Sequence, residues 1–249
     1  MTLEEATEAF GKGFTYTRSF THPYEWTRVG KLLVMRDAAR NSGDYRVEEI
    51  VILGIAPEEA VAAIRDYAPK KFAISVLLHP DQPEGQIKDA YKAHGFRLLR
   101  REPMMILEPT AQAVPQTNYS LRRVLGQEDA DAIARVTGHR AILPEDIHQG
   151  DAKLRLYAAF DDCRPVAWVR SVDSGPGIRW VSNMFVQEDH RRKGIARALM
   201  THMLNEDHSF GAKWSVLLAS QAGAQLYPHL GYRQIGLLQL FAPKKDRWP

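Results

Sequence analysis

Between Phe185 and Leu199 the chain reads Phe-Val-Gln-Glu-Asp-His-Arg-Arg-Lys-Gly-Ile-Ala-Arg-Ala-Leu. An apolar run (Val181, Met184, Phe185, Val186) predicts a strand, and Ala196-Arg197-Ala198-Leu199-Met200 opens a helix that runs to about Asn205. The turn between them, Arg191-Arg192-Lys193-Gly194, gathers cationic side chains. They meet the unpaired amides and partial positive charge of a helix start. Gly194 lets the backbone come close to a ligand and accepts a left-handed conformation. That chemistry suits a pyrophosphate.

Downstream, Trp214-Ser215-Val216-Leu217-Leu218-Ala219 reads as a buried strand, and Ser220 to Tyr232 as a short helix that stops at Gly231. With these residues the chain resembles the GNAT superfamily of acyl-CoA-dependent N-acetyltransferases. Arg191-Arg192-Lys193-Gly194-Ile195-Ala196 is similar to that superfamily's pyrophosphate motif, Gln/Arg-x-x-Gly-x-Gly/Ala. Ala219 to Tyr232 is similar to its second motif, in which a helical Leu-Tyr pair precedes Gly-Phe or Gly-Tyr. The resemblance covers roughly Tyr119 to the C-terminus and implies acetyl-CoA as cosubstrate and an amine acceptor, small molecule or peptide.

The resemblance also implies roles. Main-chain groups of Met184, Phe185 and Val186 would meet pantetheine as an added strand does, and Arg191 to Ala196 would hold the pyrophosphate. Ser220 stands where the family often has an asparagine on the cofactor arm. Tyr227 falls beside the thioester sulfur, where a phenol can act as general acid. Many relatives place a glutamate base on the fourth strand, but Trp180, Val181, Ser182 and Asn183 offer no carboxylate. Glu145, with Asp146 beside it, is the alternative on the segment expected to border the acceptor cleft. An ordered water, or an acceptor that arrives deprotonated, is the other.

The elements that must position these residues occur twice. Lys71-Phe72-Ala73-Ile74-Ser75-Val76-Leu77-Leu78 resembles Lys213-Trp214-Ser215-Val216-Leu217-Leu218, and Ala90-Tyr91-Lys92-Ala93-His94-Gly95-Phe96-Arg97 matches Leu226 to Arg233. Each pair is followed by an apolar strand, Met104–Leu107 and Leu237–Phe241. The pattern predicts an α/β (α+β) fold of two tandem GNAT-like modules, each a mixed, mostly antiparallel sheet flanked by helices. The modules span residues 1–110 and 118–249, with a Pro-containing polar linker at 111–117. The first opens with a helix at Leu3–Phe10. Where the second has Arg191 to Gly194, the first has Gly54-Ile55-Ala56-Pro57-Glu58-Glu59. Two carboxylates repel a pyrophosphate and Pro57 removes a donor, so the first module is read as degenerate, with Tyr91 a packing residue.

Composition narrows the function classes. The charge of +3 suits an anionic cofactor without making a case for nucleic acid. No apolar run approaches the roughly 20 residues that span a bilayer. The acidic start Met1-Thr2-Leu3-Glu4-Glu5 has neither a secretory nor a transit pattern. A single cysteine, Cys163, permits no internal disulfide, which fits a cytoplasmic setting. The nine histidines are dispersed and no metal motif occurs, so no metal is expected. The function expected is acetyl transfer from acetyl-CoA to a primary amine by direct attack in a ternary complex. The alternatives are a non-catalytic acyl-CoA sensor and an aminoacyl-tRNA-dependent peptidyltransferase.

Overall fold

The structure is a computed structural model describing residues 1–41 and 43–244. Ser42 and the last five positions of the expected second module, 245–249, lie outside the described residues. The chain divides into two compact units. One comprises Thr2–Met105, Leu218–Gln221 and the chain from Gln234 onward; the other comprises Ile106–Leu217 with Ala222–Arg233.

The first unit opens with helix α1 (Leu3–Arg18), capped by Thr2, which accepts from the Glu5 amide while the Glu5 carboxylate accepts from the Thr2 amide. This helix is longer than the Leu3–Phe10 expected, and the strand after it, β1 (Tyr24–Val29), was not expected. The reason is local. Gly11 and Gly13 suggest a break, but a Cβ on Gly11 would sit 2.4 Å from the Trp26 ring, so the glycine lets β1 close on the helix. Thr15 then donates to the Gly11 carbonyl at 2.7 Å, keeping its hydroxyl satisfied inside the helix.

Strands β2 (Leu32–Asp37), β3 (Glu48–Leu53), β4 (Phe72–Leu78) and β5 (Phe96–Leu107) follow, with helices α2 (Pro57–Tyr67) before β4 and α3 (Glu84–Ala93) before β5. The order in this unit is β1-β2-β3-β4-β11-β5, where β11 is the C-terminal strand Arg233–Pro243. β3 and β4 run parallel and stay paired over six positions, from Glu48 with Phe72 to Leu53 with Leu77. The core packs Ile50, Ile52, Ile64, Phe72 and Ile74 around Tyr91, whose ring stacks on Phe241 at 4.9 Å. Tyr91 is fully buried, and its hydroxyl has no partner among the described residues.

That position of β11 corrects the division drawn from sequence, which assigned Leu237–Phe241 to the second module. The strand instead pairs antiparallel with β4, Leu237 opposite Leu78 and Phe241 opposite Ile74. The largely apolar run, broken only by Gln239, specifies a strand covered on both faces, but it does not specify its neighbours.

The second unit contains β6 (Ser120–Arg123), α4 (Gln127–Thr137) and a 3-10 turn at Pro144–Asp146. A meander of β7 (Leu154–Asp161), β8 (Arg164–Gly175) and β9 (Ile178–Val186) comes next. Then follow α5 (Ile195–Ser209), β10 (Trp214–Leu218), α6 (Gly223–Leu226) and a 3-10 turn at Tyr227–Leu230. The order is β10-β9-β8-β7-β6, antiparallel except for β10 against β9. The single helix read over Ser220–Tyr232 is thus two short pieces, and Pro228 lies in the second.

A buried polar cluster fixes the C-terminal half of α5. Asp207 accepts from Arg155 Nη2 at 2.5 Å and from the Ser171 hydroxyl at 2.7 Å, and both charged side chains are fully buried. Asp151 also pairs with Arg155, at 3.3 Å, and with Arg179, at 2.6 Å. One residue back, Glu206 binds Arg123, whose guanidinium also donates to the carbonyls of His148 and Gly150. Burial pushes the Asp207 carboxyl up from its ordinary value, against the pull of Arg155 and Ser171. The other end of α5, at Gly194, is about 20 Å along the helix axis.

Candidate functional site: a parted strand pair, a bulge and an open helix start

β9 and β10 pair over only three positions, Ile178 with Trp214 through Trp180 with Val216. β9 continues to Val186, so its edge from Val181 onward leaves the parallel ladder, and that edge carries Met184, Phe185 and Val186. Strand main chain out of its ladder is a template for an added strand or an amide-bearing ligand.

A bulge interrupts β9 at this place. On one side of it Arg170 faces Ser182; on the other, Trp168 faces Phe185. Two steps on β8 therefore oppose three on β9, and Asn183 takes a left-handed φ of 54°. Asparagine tolerates that region better than most residues. The extra residue carries main-chain groups out of the ladder and re-aims them. Sequence reading missed the bulge. The one available signal was an asparagine, a residue tolerant of the left-handed region, inside a strand.

After β9, a 3-10 turn at Glu188–His190 is held by His190 Nδ1, 3.1 Å from the Tyr119 hydroxyl. Arg192 and Gly194 then adopt positive φ, 61° and 77°. Gly194 caps α5 with no side-chain hydrogen bond, and the first helical bond is Ala198 N–H to the Gly194 carbonyl at 3.1 Å. The amides of Ile195, Ala196 and Arg197 are left without an intrahelical acceptor. Space above Gly194 is open, with no atom within 4 Å of where a Cβ would stand.

The three cations differ. The Arg191 side chain is used inside the protein: its Nε donates to the Val186 carbonyl at 3.1 Å and its guanidinium lies 5.8 Å from the Phe185 ring centre. It ties the turn to the strand. Arg192 and Lys193 are exposed, and Lys193 lines a cavity of about 480 Å³ with Tyr119 and Asp161.

Tyr227 is 7% exposed, its ring edge-on to Tyr232 at 5.5 Å. Tyr232 is spoken for, its hydroxyl 2.5 Å from Ser215 Oγ. Burial pushes the Tyr227 hydroxyl up to about 12. Ser220 falls in the stretch Leu218–Gln221, which belongs to the first unit and is joined there by the Ala219 amide on the Pro103 carbonyl at 2.9 Å. Glu145 is exposed on its 3-10 turn, whereas Asp146 is buried and accepts from the Leu154 amide at 3.0 Å. Asp146 therefore serves the fold.

Among the described residues no group of three His, Cys, Asp or Glu could hold a metal ion, and no helix is long and apolar enough to cross a membrane.

Comparison with known proteins agrees with this geometry. Residues 152–234 match the acetyltransferase (GNAT) domain family, almost wholly within the second unit. No curated protein matches the chain by sequence. Among solved structures, a GCN5-related N-acetyltransferase from Kribbella flavida aligns with a TM-score of 0.66 at 20% identity, covering 98% of this chain and 96% of that one. A GCN5-related N-acetyltransferase from Sphaerobacter thermophilus aligns at 0.56 and 16% identity, over 84% and 75% of the two chains. A GCN5-related N-acetyltransferase-like protein from Streptococcus suis aligns at 0.55 and 10% identity, over 98% and 100%. The structural likenesses establish the fold, and within it residues 152–234 are similar to the acetyltransferase (GNAT) domain family.

Proposed function

We propose that the second unit transfers an acetyl group from acetyl-CoA to a primary amine in a ternary complex, and that the first unit is a related copy that does not bind CoA. The observation that carries this reading is the contrast between the two parallel strand pairs. β9 and β10 part after three positions beside a bulge, whereas β3 and β4 stay paired for six. The first unit also places Pro57, Glu58 and Glu59 at the start of α2.

In this reading the free amides of α5, with Arg192 and Lys193, hold the pyrophosphate, and the open edge of β9 takes the pantetheine amides. The thioester supplies an acyl carbon open to attack and a sulfur leaving group. Main chain at the bulge offers a donor to the carbonyl oxygen. Tyr227 addresses the sulfur. With its hydroxyl near 12, it stays protonated at any working pH. An ordinary thiol titrates near 8.5, so handing the proton over outright is uphill by roughly 5 kcal/mol. Tyr227 therefore works as a hydrogen-bond donor to the developing thiolate.

Tyr227→Phe keeps the ring and removes only the donor. Turnover should fall at least about tenfold and up to ~10³-fold, with CoA affinity and melting temperature little changed. Tyr91→Phe in the first unit should leave turnover alone. The reading itself is tested by offering a panel of amines with acetyl-CoA and measuring free thiol; CoA binding without turnover on any amine would favour a sensor.

Gly194→Val tests the turn. A φ of 77° costs a β-branched residue about 1–2 kcal/mol in stability. CoA affinity should fall by more, at least tenfold, because the side chain enters the open space above the helix start. A destabilised variant that still binds CoA normally would make the glycine purely structural.

A further inference from the structure

The base that accepts the amine's proton, and the wall that selects the amine, are the parts of the reaction unaccounted for above. A cavity of about 450 Å³ opens in the second unit, and Asn183 of the bulge lines it. Val136, Thr137 and His139 line it from the end of α4, Trp168 and Phe185 from the paired strands, and Glu188 from the 3-10 turn.

Its apolar wall is unusually bare. Val136 is 43% exposed and Phe185 39%, both among the large apolar side chains left in contact with solvent. The Trp168 and Phe185 rings stack at 4.8 Å and present a flat surface. Trp168 is 4% exposed, yet its indole N–H meets no acceptor among the described residues. A buried donor left unpaired carries a desolvation cost that a bound acceptor removes.

His139 completes the arrangement. Its Nδ1 lies 2.9 Å from the Thr137 carbonyl, which can only accept, so Nδ1 carries the proton and Nε2 is the free lone pair. The Thr137 hydroxyl in turn donates to the His139 carbonyl at 2.7 Å, and Gly138, at φ 74°, closes α4 between them. The imidazole is thus held in its tautomer by the helix end that carries it. This orienting bond is what a general base requires.

We propose that this cavity is the acceptor site, that it takes a primary amine borne on an aromatic body, and that His139 Nε2 is the general base. The inference rests on the acetyl-transfer reading above. Glu188 at the opening draws the amine in; the ring lies against Phe185 and Val136; an acceptor atom on the ring meets the Trp168 indole. The neutral amine nitrogen forms the C–N bond to the acyl carbon and gives its proton to Nε2. The C–S bond breaks with its electron pair left on sulfur, and the proton passes from the imidazolium through solvent to the thiolate.

The test uses the full chain with acetyl-CoA, 4-hydroxyphenethylamine and propylamine, with CoA affinity measured in parallel by calorimetry. We expect kcat/KM for the aromatic amine to exceed that for propylamine at least tenfold, and Val136→Glu to erase most of that ratio. His139→Ala should lower turnover at least tenfold with CoA affinity unchanged, and added imidazole should restore part of the loss. If CoA binds and propylamine is acetylated as well as the aromatic amine, or His139→Ala turns over normally, the acceptor site is wrong while acetyl transfer stands. If imidazole restores nothing to an impaired His139→Ala, the side chain is not the base. If CoA does not bind at all, the acetyl-transfer reading falls and this proposal with it.

Discussion

Reversing both free cations of the turn, Arg192→Glu with Lys193→Glu, is expected to weaken CoA binding at least about a hundredfold, ~2.8 kcal/mol. Charge-assisted hydrogen bonds contribute about 1.5–3 kcal/mol each, and reversal adds repulsion to their loss. Salt screens part of this, because both side chains are exposed. Arg191 is left out of the test because its guanidinium is committed to Val186 and Phe185. The control is Glu58→Gln with Glu59→Gln in the first unit. Its only described ion pair, Lys31 with Glu59, is exposed at both ends and worth little. Calorimetry on both double variants decides the matter. Equal loss from the two pairs would mean that neither helix start is specific, and the assignment of CoA to the second unit would fail.

Asp207→Ala should destabilise the second unit by about 3–5 kcal/mol, since removing one partner leaves a buried charge uncompensated. Arg155 would keep only Asp151, 3.3 Å away and itself about half exposed. Against a total of roughly 5–15 kcal/mol for a domain, that is a large fraction. Urea unfolding followed through the second unit's tryptophans would read it. A loss under about 1 kcal/mol would mean that water reaches Arg155 and that the cluster does not fix α5. Replacing Arg155 and Asp207 together by Met and Leu should cost much less than Asp207→Ala alone, because no orphaned charge remains.

The parts of this protein that were legible in its sequence are those written in contiguous residues. The strand-turn-helix at Val181 to Asn205 was visible because its cations and glycine sit next to one another and flank changes of hydrophobic period. So was the contrast between Gly194 and Pro57-Glu58-Glu59. The bulge at Asn183 was not, because a bulge is a relation between two strands and leaves no fixed residue pattern on either. The partner of β11 was hidden for the same reason. His139 and Trp168 lie 29 positions apart and meet at one cavity only through the pairing of β8 with β9 and the packing of α4. Arg155 and Asp207 lie 52 positions apart, and nothing in the local sequence marks them as a buried pair. The length of α1 was masked by Gly11, whose purpose, room for Trp26, lies outside the helix.

The insertion of β11 between β4 and β5 reverses the order in which the chain can mature. A ribosome delivers the first unit's strands early, yet that unit's sheet has a gap until Gln234 and the residues after it emerge. Until then β4 and β5 are two open edges with apolar faces, and Tyr91 lacks the Phe241 ring that stacks on it. Every residue of the second unit has already been made by that time. The half synthesised later is therefore free to fold first, and the half synthesised earlier must wait, exposed to chaperones and to other nascent chains, until β11 emerges.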